Sequence, residues 1–256
     1  GVGRARIRKM RRFFVEDINA LDSIVRIEGR EFTHLKKALR LKPGSEVSVF
    51  NGRGLELFGK IESVGRDGAA VTVEGSSLNE GESPLDLTLI QGLLKGDKPE
   101  LIIQKTTELG VKEVSFYTAP RTVPSFDEDK AADRVERWRR VAIEAAKQCG
   151  RTVIPRINYV DLSRAIEGRE ESLRIILWEG ERARGIGGIL DDNWNSGSVA
   201  LLVGPEGGFS AEYVDEAGKT GFIPVSLGVR ILRAETAAIA GVSIIQHRLG
   251  DLGRLS

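Results

Sequence analysis

This chain of 256 residues holds one cysteine, one methionine and two histidines. The lone Cys149 excludes an intrachain disulfide framework and fits a reducing, cytoplasmic setting. Two histidines and one cysteine fall short of a structural zinc site, so no metal is expected. No apolar run reaches the roughly 18 to 20 residues of a membrane helix, so no membrane partner is expected. The basic N-terminus lacks the apolar segment of a secretory signal. Absent too are the G-x-x-x-x-G-K-[ST] phosphate loop and the G-x-S-x-G nucleophile elbow. His34 and His247 have no nucleophile at motif spacing, and Cys149, at the end of a helical pattern, reads as structural. The only methionine is Met10, and residues 1–9 are expected to be a tag or upstream extension outside the fold.

What is present is the composition of an ordinary globular protein, 41% hydrophobic and 29% charged, long enough for two modest domains. The net charge is only +1, yet Arg4, Arg6, Arg8, Lys9, Arg11 and Arg12 precede the first acid, Glu16. Residues 10–82 read as short strands and turns. "SEVSVF" runs into the hairpin pair Asn51-Gly52, and "LELFGKIESV" alternates as a half-buried strand should. Within this part "FTHLKKALRL" (Phe32 to Leu41) is one short helical pattern, and "GSSLNEGESP" (Gly75 to Pro84) reads as the linker. Residues 84–256 alternate strand and helix patterns, which predicts an α/β domain around a mainly parallel sheet. "GIGGIL" (Gly185 to Leu190) lacks the last glycine of G-x-G-x-x-G and is expected to be a flexible loop. The final pattern, apolar on nearly all faces from Thr236 to Ile245, predicts a buried helix.

Three strand ends run from apolar residues into small or charged ones: "ILWEGE", "LLVGPEGGFS" and "VSLGVRILRAETA". Parallel sheets hold ligands in such loops, at the carboxyl ends of their strands. Gly204, Gly207 and Gly208 permit close backbone approach to a ligand, although an ordinary tight turn explains them as well. Ser210 is placed as an N-cap. Glu206 is incompatible with a bare phosphate and compatible with a cation, a ribose or an amino group. Arg230, Arg233 and Glu235 stand at the mouth of a helix that is otherwise almost uncharged. Such charges are costly unless they pair with one another or reach a ligand.

Six segments together resemble the SPOUT-class RNA methyltransferases, and most closely the bacterial 16S rRNA (uracil-N3)-methyltransferase family. They are "MRRFF" (Met10 to Phe14), "HLKKALR" (His34 to Arg40), "QKTTELGV" (Gln104 to Val111), "AAKQCGR" (Ala145 to Arg151), "GPEGGFS" (Gly204 to Ser210) and "LGVRILRAETA" (Leu227 to Ala237). They occur in the family's order and span the chain from Met10 onward. Ribose-methylating SPOUT enzymes typically carry a Ser-Leu-Asn sequence in the last motif, where this chain has Gly228, a departure that favours methylation of a base. The resemblance implies a PUA/OB-like RNA-binding β-barrel over 10–82 and an α/β methyltransferase domain with a trefoil knot over 84–256. It also implies a homodimer, S-adenosylmethionine as cofactor, and 16S rRNA in the 30S subunit as partner.

Carried onto this chain, the resemblance assigns cofactor contact to Leu177, Glu179, Gly180, Gly204, Pro205, Glu206, Gly207, Gly208, Leu227, Gly228, Ile231 and Leu232. N3 lies on the pairing edge of uracil, so the target must be unpaired or flipped out of its stack. Candidates for RNA contact are Arg11, Arg12, His34, Lys36, Lys37, Arg40, Arg121, Gln148 and Arg151. Each has solvated surface as its plain alternative; His34 reads equally well that way, and Lys36 and Lys37 read better that way. Arg233 is the candidate to stabilise the developing uracil anion, and Glu235 either accepts the N3 proton or holds Arg233. Methylation of another RNA or of a ribose, and a non-catalytic RNA-binding assembly factor, stand as the alternatives.

Overall fold

The computed structural model describes residues 10–79, 81–118 and 128–254. The chain divides into two compact units, Gly1–Glu82 with Ala146–Ile154 and Ser83–Ala145 with Pro155–Ser256. Among the described residues no helix is long and apolar enough to cross a membrane.

The first unit contains β1 (Arg11–Phe14), β2 (Ile24–Glu28), α1 (Gly29–Thr33), β3 (Glu46–Phe50), β4 (Leu55–Val64) and β5 (Gly68–Leu78). They form a curled five-stranded sheet in the order β1-β3-β4-β5-β2, with β1 parallel to β3 and the other pairs antiparallel. Alternate residues point inward, so Phe13, Ile27, Val47, Leu57, Ile61 and Val71 meet in one core, with Leu35 added from the helical turn. The β3–β4 turn forms where the sequence places it. Asn51 Oδ1 accepts the Arg53 and Leu55 amides at 2.8 and 3.2 Å, and Gly52 takes a φ of 72°.

Two expectations in this unit are corrected. The helical pattern from Phe32 splits: α1 ends at Thr33, and His34–Ala38 form a wider π-helical turn. The Leu39 amide accordingly reaches back five residues to the His34 carbonyl. Arg40 then ends the helical run with a left-handed φ of 52°. The supposed linker begins four residues late, because Gly75–Leu78 belong to β5. Gly75 is there to make room for a ring: a Cβ on it would stand 2.6 Å from the Phe58 side chain.

The second unit contains β6 (Asp86–Gly92), α2 (Lys98–Glu108), β7 (Glu113–Thr118), α3 (Glu128–Cys149) and β8 (Arg156–Asp161). After them come α4 (Leu162–Ile166), β9 (Leu173–Leu177), α5 (Ile186–Asp192), β10 (Ser198–Val203), α6 (Ala211–Lys219), β11 (Ile223–Val225) and α7 (Ala234–Arg248). The last residues of α3 count with the first unit. The sheet runs β11-β9-β10-β6-β7-β8, and every neighbouring pair is parallel. Its central strands are covered on both faces, which is why β6 and β10 read as near-continuous apolar runs. Ile90, Ile176, Ala200, Leu202, Ala217 and Phe222 share one core with Tyr117.

Two expectations change here as well. Gly185–Leu190 is no flexible loop: Ile186–Asp192 is the helix α5, with Gly185 as its extended N-cap. Ile186 and Leu190, one turn apart, are both buried, and that burial outweighs the poor helix propensity of the two glycines between them. α7 is buried on one face only, through Ala238, Gly241, Val242, Ile245 and Gln246, while Ile239, Ala240 and Ile244 remain half-buried.

Candidate functional site

Because the strands of the second unit are parallel, β9, β10 and β11 release their loops at one edge of the sheet. Residues 178–185, 204–210 and 226–233 converge there and enclose a cleft of about 470 Å³. The cleft brings together Leu177, Glu179, Gly204, Pro205, Glu206, Gly207, Gly208, Leu227, Gly228, Ile231, Leu232, Arg233 and Glu235. Gly180 is the exception among the sequence-assigned residues. It lies outside the lining, and a Cβ on it would strike the Trp178 ring, so its smallness serves that packing.

Loop geometry follows local chemistry. Ser210 caps α6, its hydroxyl accepting the Tyr213 amide at 3.3 Å. Gly208 takes a φ of 66° and donates its amide to the Pro205 carbonyl at 3.0 Å, closing a tight turn. The Glu179 carboxylate lies so close to Gly208 that an added Cβ would stand 2.6 Å from Oε1. Gly207 has open space where a Cβ would be.

Glu206 has a definite partner set. Its Oε1 accepts the Lys95 amide at 3.1 Å and lies 3.5 Å from Lys98 Nζ. Burial pushes its pKa up, but the Lys95 amide, its own amide and the Lys98 ammonium outweigh that and hold it below the usual carboxylate range. Lys98 Nζ is also 3.5 Å from Glu235 Oε2, so one ammonium joins the β10 loop to the first turn of α7. Glu235 is therefore bound to Lys98 and not to Arg233, which corrects the simple Arg–Glu pair considered from the sequence. Arg233 is the exposed N-cap residue of α7, and Arg230 is exposed beside it.

Sequence reading missed Lys98, Trp178, Arg182, Phe209 and Ser226, all of which line the cleft. The available signal for Lys98 was its place at the start of the helix that follows the apolar strand β6, a strand end like the other three. The donor set fits an adenosylmethionine-like molecule. Leu177, Phe209, Leu227, Ile231 and Leu232 offer apolar surface, the glycines expose main chain, and Glu179 supplies an anionic acceptor. The volume lies within the roughly 300–1,000 Å³ of small-molecule pockets.

Residues 81–246 match the RNA methyltransferase domain family, and residues 27–74 match the RNA methyltransferase PUA domain family. A relative from Bacillus subtilis, ribosomal RNA small subunit methyltransferase E, is 31% identical over 87% of this chain and 89% of its own length. The chain belongs to the ribosomal RNA small subunit methyltransferase E family. A family member from Buchnera aphidicola (Acyrthosiphon pisum) is 26% identical over 95% of this chain and 96% of its own. The crystal structure of the Neisseria gonorrhoeae member, bound to S-adenosyl methionine, has a TM-score of 0.84 and is 30% identical. That similarity covers 94% of this chain and 99% of the other.

Of the candidate RNA contacts, Arg11, His34, Lys36, Lys37, Arg40 and Gln148 are exposed in the first unit. Arg12 and Arg151 are corrected. Arg12 grips Glu56 with two bonds of 2.8 and 3.1 Å and also donates to the Ala146 and Arg151 carbonyls, leaving its side chain 7% exposed. Arg151, 3% exposed, donates through Nε and Nη2 to Glu82. Both guanidiniums are spent on these bonds within their unit, and little of their surface is left for a phosphate. Arg121 lies outside the described residues.

Proposed function

We propose that this enzyme transfers a methyl group from S-adenosylmethionine to N3 of a uracil in 16S rRNA of the small ribosomal subunit. Membership of the rRNA methyltransferase family gives the reaction class, and the cleft at the carboxyl edge of the parallel sheet carries the residue-level reading. The cofactor, when bound, supplies an activated methyl group on a sulfonium. The chain's own part is to hold it by the glycine-rich loops, admit a uracil edge, and take up the N3 proton. Glu235, partly buried in the first turn of α7 and bridged to Lys98, is the carboxylate placed to receive that proton. Arg233, exposed at the N-cap of the same helix, is placed to meet the charge that develops on the base.

Gly228 supports base over ribose methylation. Its φ of 122° is a conformation that an asparagine at this place would enter only at a cost. In the first unit we assign RNA contact to Arg11, His34, Arg40 and Gln148, with residues 10–82 as the RNA-binding domain and 84–256 as the catalytic domain. We assign the trefoil knot to the second unit, where β11 lies outside β9 while the helix after it packs on α2 and β10. We also assign a homodimer, supported by exposed Val229 and Ile231 and by the half-buried apolar face of α7. A substrate on the small ribosomal subunit places the enzyme in the cytoplasm.

The test is methylation of 30S subunits from a strain lacking the activity, followed by nucleoside analysis. 3-Methyluridine is the expected product. A 2′-O-methylated nucleoside, or no product with cofactor present, overturns the reading.

A further inference from the structure

Two buried polar side chains beneath the cleft belong to neither the sequence motifs nor the cleft lining. Gln91, the penultimate residue of β6, is fully buried, and its Nε2 donates to the Gly92 carbonyl at 3.0 Å and the Gly204 carbonyl at 3.1 Å. Both neighbours are acceptors, so the amide nitrogen must face them. Its Oε1 is buried and has no hydrogen-bond partner among the described residues. From β7, the fully buried Tyr117 donates its hydroxyl to the Val203 carbonyl at 3.1 Å. Burial, with Tyr213 adding to it, pushes the Tyr117 phenol well up, so it keeps the proton it donates.

These contacts fall where the sheet can no longer supply them. The β10–β6 ladder ends at the pair Val203–Gln91, so Gly204 is the first residue of the loop without a strand partner. Gly92 completes the arrangement: a Cβ there would lie 2.5 Å from the Pro205 nitrogen, so the end of β6 lies directly against the loop. What the amide provides is a bond to the main chain of the loop itself, and an apolar residue filling the same space would leave the Gly204 carbonyl without it.

We propose that Gln91, Gly92 and Tyr117 form a buried seat that fixes the peptide planes of Val203, Gly204 and Pro205, and that Gln91 and Tyr117 are thereby positioning residues for cofactor affinity. The inference rests on the reading of the 204–210 loop as a cofactor loop. Neither side chain touches the ligand. They act by presetting the main chain, so that ordering the loop is not charged against binding.

Calorimetric titration with S-adenosylmethionine tests this on the full chain, well below each variant's melting temperature. Gln91→Leu is expected to weaken binding about tenfold and Tyr117→Phe several-fold, both with the fold retained. Gln246→Leu is the matched control. Gln246 is another fully buried glutamine of the same unit, bonded to Ser83 Oγ at 2.8 Å, away from the loop. Its loss is expected to lower the melting temperature and leave affinity unchanged. Wild-type affinity in folded Gln91→Leu or Tyr117→Phe, or equal weakening in Gln246→Leu, overturns the proposal. If Gln91→Leu fails to fold, Tyr117→Phe decides by itself. A wild-type chain that binds no cofactor instead sinks the functional reading, and this inference with it.

Discussion

Gly207 and Lys98 show how single residues divide the work of the cleft. Space is open where a Gly207 Cβ would stand, so Gly207→Val is expected to fold. Its side chain would occupy cleft volume, and cofactor affinity measured by calorimetry is expected to fall by at least about tenfold. Lys98 does something else, because its ammonium serves Glu206 and Glu235 at 3.5 Å each. Lys98→Met leaves two neighbouring carboxylates without their shared cation. Turnover of the 30S substrate is expected to drop by up to about 100-fold through misplacement of Glu235, with Lys98→Arg recovering part of it. Glu206 was legible as a residue that excludes a phosphate. That it grips Lys95 and Lys98 was not, since those partners lie where a strand pattern gives way to a helical one, with no motif to mark them.

Among the elements, ion pairs hold strands and loops that hydrogen-bond ladders do not join. Arg12 on β1 and Glu56 on β4 are 7% and 2% exposed. Arg12→Met strands a buried carboxylate, and a loss of about 3–5 kcal/mol is expected, read as a lower urea midpoint. Glu113 on β7 gives a pH signature. Burial pushes its pKa up, but Ser115, Arg169 and Arg156 together hold it below the ordinary value. A depressed folded pKa adds stability above the unfolded glutamate range, about pH 4.3, that disappears as pH falls through the folded value. The stability difference between wild type and Glu113→Gln is therefore expected to be constant near neutrality and to shrink on acidification, measured by denaturation at several pH values. Strands and long helices were legible here because apolar periodicity is local. α5 was not, because two glycines hid a helix whose cause is the burial of Ile186 and Leu190.

For the whole molecule, a homodimer is the expected state. Light scattering should give about twice the 28.0 kDa of one chain, and a monomer at micromolar concentration would remove the assignment of the exposed Val229 and Ile231 to an interface. The order of motifs along the chain carries the family resemblance, and family matches to residues 27–74 and 81–246 agree with it. Which arginines face RNA is a matter of the fold: Arg11 and Arg12 are neighbours in sequence, yet one is exposed and the other is locked inside the unit.

The sequence by itself determined the alternation of strands and helices, the three strand-end loops and the chemistry they share. These depend on periodicity, turn residues and motif spacing, all of them local. Only the tertiary structure decided what those residues touch. Lys95 meets Glu206 across 111 residues of chain, and Gln91 meets Gly204 across 113. Pairs so distant are set by strand order and by what must be satisfied once water is excluded, and no window along the chain contains both members.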